Sequence, residues 1–280
     1  MGSLPLGVGR LDRLLGGGAP SGSVVLLAEE SGAGAREFLY TSAAMNALSH
    51  ADPELFSLHY GDLDPDVSVP PEVHYLSLTE GSESLRRELA FTMTEEIVDA
   101  ATEEIQFRDF SPEYFQLSPL PREWYLGNAA SIGEMGKRER REGILSSLGG
   151  YLSEHAPGNL VLLDSLTDLT TARGDEMERG WDDVIMLVRG LKKAAFHWDG
   201  LILLLVSEDA ITDQQFGALM DAASGTLRFS WETGGSQRAR TMVVREFRGV
   251  LSRLEEEDIV QFEVEIHEGG LDISDVRKIR

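Results

Sequence analysis

The stretch from Val24 to Tyr40, VVLLAEESGAGAREFLY, places a glycine-rich turn between an apolar run and a segment with helical spacing. This is the layout of a phosphate-binding loop, in which backbone N–H groups wrap around phosphates. The pattern of such a loop is Gly-x-x-x-x-Gly-Lys-[Ser/Thr]. On this chain the first glycine falls on Glu29 and the last on Gly34. The lysine falls on Ala35, and the hydroxyl residue falls on Arg36.

The loop keeps the residues that give it shape and lacks those that do its chemistry. Gly32 and Gly34 are retained with Ala33 between them, so we expect the turn to keep its conformation. A lysine would reach the β and γ phosphates and a hydroxyl would hold Mg²⁺, but Ala35 and Arg36 stand there. The acidic pair before the turn adds negative charge where a triphosphate would lie. We therefore predict a degenerate nucleotide site without its phosphate and metal contacts.

The net charge of the chain is strongly negative. Its 280 residues include 48 acidic and 25 basic side chains, which gives a formal charge of −23. The acids are spread along the chain and lysine is scarce, which is typical of proteins adapted to high salt, where screening weakens self-repulsion. We expect a cytoplasmic protein of a halophilic archaeon. The same charge disfavours nucleic acid as a partner, because neutralising phosphates needs a basic face.

Other features of the composition narrow the class of protein. The hydrophobic fraction of 42% is that of a folded globular chain. The absence of cysteine excludes disulfides, thiol catalysis and thiolate metal sites. No apolar stretch approaches the ~20 residues of a membrane-spanning helix, and the N-terminal residues do not resemble a signal peptide. We therefore expect no membrane association.

Apolar runs alternate with helical patterns over most of the chain, which predicts βαβ units and a mainly parallel sheet. The last third instead alternates apolar and polar residues, which predicts half-exposed antiparallel strands at the edge of the sheet. The predicted buried strands are Val24–Ala28, Val73–Thr79, Ile105–Phe110, the start of Asn159–Leu169 and Gly200–Glu208. The predicted antiparallel strands are Thr226–Trp231, Arg238–Arg248 and Ile259–Glu268.

Three separate segments carry a family resemblance. They are LPLGVGRLDRLLGGGAPSGSVVLLAEESGAGAREFLY from Leu4, NLVLLDSLTDL from Asn159, and GTLRFSWETGGSQRARTMVVREFRG from Gly225. In this order they resemble the KaiC-like branch of the RecA superfamily of P-loop ATPases, over residues 4 to about 273. Within that branch the chain looks most similar to haloarchaeal proteins labelled HTR-like.

The resemblance implies an α/β, RecA-like fold with a mainly parallel sheet flanked by helices and antiparallel C-terminal strands. We expect one domain over residues 1–280, with its core at about 4–250 and a C-terminal strand extension at about 251–280. Relatives form hexamers or filaments that hold ATP between subunits, which implies self-association or another protein partner.

The resemblance also assigns roles to three residues outside the loop. Asp164 matches the Walker B aspartate, which holds Mg²⁺ through water. Glu80 matches the second member of a glutamate pair that acts as general base, and Arg248 matches an arginine that reaches a neighbouring subunit's phosphate. Two other interpretations stay open from the residues alone. Asp164 could be a buried carboxylate satisfied by hydrogen bonds, and Glu80 could stabilise the start of a helix.

In this fold the Walker A hydroxyl and the Walker B aspartate meet at the metal. Arg36 stands at the hydroxyl position, so its guanidinium could lie beside Asp164 and replace Mg²⁺ with a salt bridge. This contact is a hypothesis that the structure tests directly.

Two further segments have open interpretations. The basic run Gly136–Gly143, with Arg138, Arg140 and Arg141, could contact nucleic acid or an acidic partner, or could be a solvated helix start. The aromatic side chains before the Walker B strand could form a partner or ligand surface, or could pin a long loop to the core. These aromatic residues are Tyr114, Phe115, Trp124 and Tyr125.

The leading prediction is a non-catalytic KaiC/RecA-like protein that acts as a regulatory or scaffold protein and needs no cofactor. The alternative is an ATP-binding protein with weak or unconventional ATPase activity, which would use ATP and Mg²⁺. A second alternative is a DNA-associated RecA-like accessory protein.

Overall fold

The apolar runs of the chain form the centre of one large sheet. The computed structural model describes residues 2–65, 67–126, 143–171, 177–232, 239–247, 250 and 261–277. Within these ranges the strands are β1 Ser3–Leu4, β2 Ala19–Pro20, β3 Ser23–Glu29, β4 Val73–Ser77, β5 Ile105–Asp109, β6 Leu160–Asp164, β7 Leu201–Ser207, β8 Gly225–Glu232, β9 Ala239–Phe247, β10 Gln261–His267 and β11 Gly270–Arg277.

Helices follow most of these strands. They are α1 Gly9–Leu15, α2 Ala35–Ala51, α3 Pro53–Tyr60, α4 Ser82–Thr92, α5 Glu95–Glu104, α6 Ser111–Tyr114, α7 Glu123–Leu126, α8 Ile144–His155, α9 Leu166–Thr171, α10 Met177–Trp198 and α11 Asp213–Ala222. None of the described helices is long and apolar enough to cross a membrane.

Nine of the strands in the described part of the chain form one sheet, in the order β11-β10-β9-β8-β3-β7-β6-β4-β5. The strands from β8 to β5 run parallel, and β9, β10 and β11 continue from β8 as an antiparallel meander. The predicted α/β architecture with antiparallel C-terminal strands is therefore confirmed. Helices cover both faces of the sheet, because each face of a parallel sheet is apolar.

One strand prediction was wrong in its pairing. Thr226–Trp231 lies in β8, which pairs parallel to β3 on one side and antiparallel to β9 on the other. Residues 225–229 of β8 are flanked by two strands and are buried except for the partly exposed Arg228, whereas residues 230–232 are all partly exposed. The alternation of apolar and polar residues in β8 therefore suggested a strand at the edge of the sheet. In the structure β8 lies between two other strands.

Helix α3 falls where no helix was predicted, whereas strand β11 lies within the predicted C-terminal strand extension at about 251–280. Helix α3 begins after Asp52, whose carboxylate accepts hydrogen bonds from the backbone N–H groups of Glu54 and Leu55, with Pro53 at the first helical position. Strand β11 returns from β10 and packs against α2, where the backbone N–H of Leu271 donates to Thr41 Oγ1 at 2.8 Å.

The carboxyl ends of the parallel strands meet along one edge of the sheet. Ser77 at the end of β4 lies opposite Asp164 at the end of β6, and Glu29 at the end of β3 lies opposite Ser207 at the end of β7. Open α/β sheets bind their ligands outside this edge. The candidate site residues that follow these strands are therefore brought together by the topology of the sheet.

Candidate functional site

The turn between β3 and α2 has the conformation that its glycines permit. Gly32 has a φ of +74° and Gly34 a φ of +113°, a region of backbone conformation that other residues rarely adopt. Helix α2 begins immediately afterwards at Ala35 and runs for 17 residues. The turn thus keeps its shape, although the residues that would contact phosphate and metal are absent.

The carboxylate of Glu29 turns back onto this helix start. Its Oε2 accepts a hydrogen bond from the backbone N–H of Ala35 at 3.1 Å. Burial raises the pKa of Glu29, and the nearby Glu37 raises it further, whereas the N–H groups of Ala35 and Arg36 favour the ionised form. An acidic side chain of the chain itself therefore lies where the loop would present its N–H groups to a phosphate.

The predicted contact between Arg36 and Asp164 is present. Arg36 Nη1 donates to Asp164 Oδ2 at 3.0 Å. Burial opposes the charge of the guanidinium, but Asp164, Tyr40 and Tyr75 outweigh it and raise the pKa of Arg36. The arginine at the hydroxyl position of the loop thus forms an ion pair with the carboxylate at the Walker B position.

A tyrosine completes the surroundings of this carboxylate. The hydroxyl of Tyr75 donates to Asp164 Oδ2 at 2.7 Å, and Asp164 as a whole is only 8% exposed. The ring of Tyr40 lies 6.2 Å from that of Tyr75, and the nearby Arg36 acts against the rise in the Tyr40 pKa that burial causes. Burial raises the pKa of Asp164, while Arg36 and the Tyr75 hydrogen bond act in the opposite direction.

The residues around Asp164 do not fit a bound Mg²⁺. One oxygen of the carboxylate already accepts from both Arg36 and Tyr75. Mg²⁺ requires near-octahedral oxygen ligands. The position of the Walker A hydroxyl, which would supply the second protein ligand, is occupied by the positively charged guanidinium of Arg36. Among the described residues no group of three or more His, Cys, Asp or Glu side chains could hold a metal ion.

The outer side of the loop is tied down by three residues that sequence reasoning missed. The backbone N–H of Ser31 donates to Asp209 Oδ2 at 2.9 Å. The indole N–H of Trp231 donates to the Ser31 carbonyl, and Arg240 Nε donates to the Gly32 carbonyl, both at 3.1 Å. The Arg240 guanidinium also lies over the Trp231 ring, 4.8 Å from its centroid. No local pattern marked these residues, because they belong to segments far from the loop along the chain.

Glu80 lies just before α4 with an exposed side chain. Its backbone N–H donates to Ser77 Oγ at 3.0 Å, and its carboxylate accepts from the Ser84 hydroxyl in the first turn of α4. Glu80 is close enough to Asp164 to contribute to the raised pKa of that group. A role for Glu80 as general base remains a prediction.

The intersubunit residue and the basic run lie outside the described residues. These are Arg248 and the part of Gly136–Gly143 that carries Arg138, Arg140 and Arg141. Glu246, two residues before Arg248, is exposed in β9.

The aromatic segment before β6 contains a side chain that packs against the core and another that is exposed to solvent. Tyr114 is partly buried and packs against the same part of the core as α8. The centroid of its ring lies 4.8 Å from that of Phe115. Phe115 in turn lies 5.6 Å from Tyr125. Trp124 is 72% exposed. Tyr114 therefore pins the segment, while Trp124 leaves a large apolar surface in solvent.

Two solved archaeal structures have a similar fold. A KaiC-like protein from the hyperthermophilic archaeon Pyrococcus horikoshii OT3 matches with a TM-score of 0.61 and 16% identity, covering 97% of this chain and 98% of that chain. The flagellar accessory protein FlaH from Methanocaldococcus jannaschii matches with a TM-score of 0.58 and 13% identity, covering 95% and 96%. No protein-family model and no curated protein sequence matches the chain. The chain therefore shares the α/β fold of these two proteins, with a mostly parallel central sheet flanked by helices and antiparallel C-terminal strands.

Proposed function

We propose that this chain is a non-catalytic relative of KaiC-like ATPases that acts as a regulatory or scaffold protein. The observation that carries the proposal is the ion pair between Arg36 and Asp164. Phosphoryl transfer depends on positioning and on charge neutralisation by lysine and Mg²⁺. Here the lysine position is Ala35, and the metal position is filled by a guanidinium whose charge is already matched.

The charges around the loop also oppose nucleotide binding. Glu29 accepts the N–H of Ala35, and Asp209 accepts the N–H of Ser31. Glu30 accepts the N–H of Trp231 beside the same turn. Three carboxylates thus accept hydrogen bonds in and beside the loop to which a triphosphate would bring several further negative charges, and like charges at short distance repel each other.

The proposed mode of action is contact with another protein or with a second copy of the chain. Trp124 supports it, because a large exposed aromatic side chain is a common component of protein interfaces. The excess of acidic residues supports a cytoplasmic setting in a halophilic archaeon. We propose neither nucleic acid nor a membrane as partner.

Calorimetric titration with ATP and Mg²⁺ in multimolar KCl, together with an assay for released phosphate, tests the proposal. We expect neither saturable heat nor turnover from the wild-type chain. Saturable binding accompanied by hydrolysis that disappears in Asp164→Asn would overturn the non-catalytic function. The matched control is Asp99→Asn, which removes the same charge from α5, away from the carboxyl edge of the sheet.

A second candidate is an ATP-binding protein with weak or unconventional ATPase activity. It is favoured by one observation, the retained left-handed conformations of Gly32 and Gly34 before the start of α2. In the same titration this candidate predicts saturable ATP binding with little or no turnover. Binding of this kind by the wild-type chain would replace the first proposal with the second.

A further inference from the structure

The start of α2 carries an internal anion. The first N–H groups of a helix have no partner within the helix, and their partial positive charge favours a negative group. The residue before α2 is Gly34, which has no side chain to cap them. Glu29 Oε2 accepts the N–H of Ala35 at 3.1 Å from the last position of β3. The strand therefore supplies the anion that the helix start attracts.

A second carboxylate engages the same loop from the opposite side. Asp209, which follows β7, accepts the backbone N–H of Ser31 at 2.9 Å, and this hydrogen bond lowers the pKa of Asp209. Between these two contacts, the N–H of Ala33 donates to the carbonyl of Glu30 at 2.9 Å. Three successive odd-numbered N–H groups of the loop, at residues 31, 33 and 35, are thus bonded to oxygens of the chain itself.

We propose that Glu29 is a built-in substitute for phosphate, which holds the loop in the conformation observed here without any nucleotide. A carboxylate and a phosphate are both oxyanions that accept charge-assisted hydrogen bonds from backbone N–H groups. An external phosphate would have to displace Glu29 and leave its charge beside Glu30 and Asp209. This proposal rests on the proposed loss of ATP chemistry. It explains what keeps the loop folded when no nucleotide binds to it.

A loop that is held by Glu29 also differs from a loop whose conformation depends on bound nucleotide. The carboxylate is covalently part of β3, so it is always present at the helix start, whereas a bound phosphate comes and goes with its concentration. The conformation of residues 29–36 is therefore constant, and surfaces next to the loop keep one shape at every ATP concentration.

Amide exchange at Ala35 in the variant Glu29→Ala tests the proposal. Charge-assisted hydrogen bonds contribute enough that their loss corresponds to an exchange rate about tenfold faster or more. Inorganic phosphate, added at the KCl concentration that maintains the fold, should then shift the Ala35 amide resonance saturably. We expect no such shift in the wild-type chain.

Glu37→Ala is the matched control. It removes an acidic residue from the first turn of α2, and Glu37 lies close enough to raise the pKa of Glu29 without accepting the Ala35 N–H. We expect slow Ala35 exchange and no phosphate-induced shift in this variant. An equal response in Glu37→Ala would reduce the effect to general electrostatics and overturn the specific role of Glu29.

Three other results overturn the proposal: unchanged Ala35 exchange in Glu29→Ala, failure of phosphate to shift that amide in the variant, or a phosphate shift in the wild-type chain. Should Glu29→Ala fail to fold, Glu29→Gln keeps the size and one acceptor oxygen, and a several-fold faster exchange is expected. ATP hydrolysis by the wild-type chain would overturn the proposed function, whereas the variants test Glu29 alone.

Discussion

Arg36 and Asp164 join the first turn of α2 to the end of β6 through a 3.0 Å ion pair. The two residues are 128 positions apart, and they belong to segments at the carboxyl ends of two different parallel strands, β3 and β6. The carboxylate is buried, so its charge depends on the guanidinium and on the hydroxyl of Tyr75. The contact that a metal would mediate between these elements is made directly by side chains of the chain.

A double-mutant cycle measures how strongly this pair stabilises the fold. Arg36→Met should lower the free energy of unfolding by about 2 kcal/mol, because Asp164 loses its counterion in a buried position. The value lies below that of fully buried pairs because the Arg36 side chain is 41% exposed. With Asp164→Asn as the second mutation, denaturant unfolding should give a coupling energy of at least about 1 kcal/mol.

The ion pair between Arg86 and Asp99 is the control for this cycle. Both of its side chains are 55% exposed, so we expect a coupling energy of about 0.5 kcal/mol or less. A coupling between Arg36 and Asp164 that is no larger than this surface value would contradict a structural role for their contact.

Tyr75→Phe should raise the pKa of Asp164. The hydroxyl donates to the carboxylate at 2.7 Å and so stabilises its ionised form, whereas burial acts in the opposite direction. We also expect the free energy of unfolding at neutral pH to fall by about 1–2 kcal/mol. Carbon-13 NMR titration of the Asp164 carboxyl group measures the pKa directly.

Tyr40→Phe is the comparison for this prediction, because the Tyr40 hydroxyl interacts electrostatically with Arg36 and Asp164. Its effect on the Asp164 pKa should be the smaller of the two. Equal shifts in the two variants would mean that the loss of a nearby hydroxyl, and not the direct hydrogen bond, controls the carboxyl group.

Asp12 should make stability depend on pH. Its carboxylate is buried and accepts from the N–H groups of Leu6 and Gly7 and from the Tyr60 hydroxyl. Burial outweighs these hydrogen bonds and raises the pKa of Asp12 from 3.8 to about 7. Between these values the folded state holds a proton that the unfolded state releases. Stability from this group is therefore fully present below about pH 4 and is lost as pH rises towards 7.

The measurable consequence is a difference in slope between the wild-type chain and Asp12→Asn. Over this interval the wild-type free energy of unfolding should fall by up to about 1.4 kcal/mol per pH unit relative to the variant, which cannot titrate at this position. Urea unfolding at several pH values measures both slopes. Parallel pH profiles for the two proteins would contradict a raised pKa at Asp12.

Gly34→Ala should destabilise the fold even in the absence of any ligand. The φ of Gly34 is +113°, and this conformation costs about 1–3 kcal/mol for a residue with a side chain. The new Cβ would meet Leu271 and Val264 at 3.5 Å, an ordinary contact, so the cost comes from the backbone and not from crowding. Thermal and denaturant unfolding measure the loss.

Gly150→Ala provides the contrasting control. Gly150 lies in α8 and is exposed, and a Cβ added to it would meet nothing within 4 Å. We expect this variant to be more stable by about 0.5–1 kcal/mol, because alanine is the better helix former. A neutral Gly34→Ala beside a stabilised Gly150→Ala would show that the turn does not require its glycine.

The local signals in the sequence predicted the strand, turn and helix around Gly32 and Gly34, and the alternation of parallel strands with helices. The contact between Arg36 and Asp164 was predicted from the resemblance to KaiC-like ATPases, in which the two matching positions meet at the metal, and the structure contains it. The local patterns alone did not indicate it. Inferences from local patterns succeed where one residue's place depends on the pattern of its immediate neighbours.

The residues that the sequence did not reveal reach the site through long-range packing. Trp231 and Arg240 contact the loop across about 200 positions, and Asp209 does so across 178. The sequence identified Glu29 as an acidic residue at a glycine position of the loop, but not its hydrogen bond to Ala35, because the direction in which its side chain turns depends on the tertiary surroundings of the loop. The direction of a side chain and its tertiary contacts are not indicated by the periodic pattern of apolar and polar residues in the sequence.

The packing of β11 against α2 has a consequence for how the protein is made. Leu271 donates its N–H to Thr41 across 230 residues, and Val264 and Leu271 lie against the glycine turn. During synthesis, α2 leaves the ribosome long before the strand that covers it. The packing of α2 and its loop therefore stays incomplete until β11 has been synthesised and has left the ribosome.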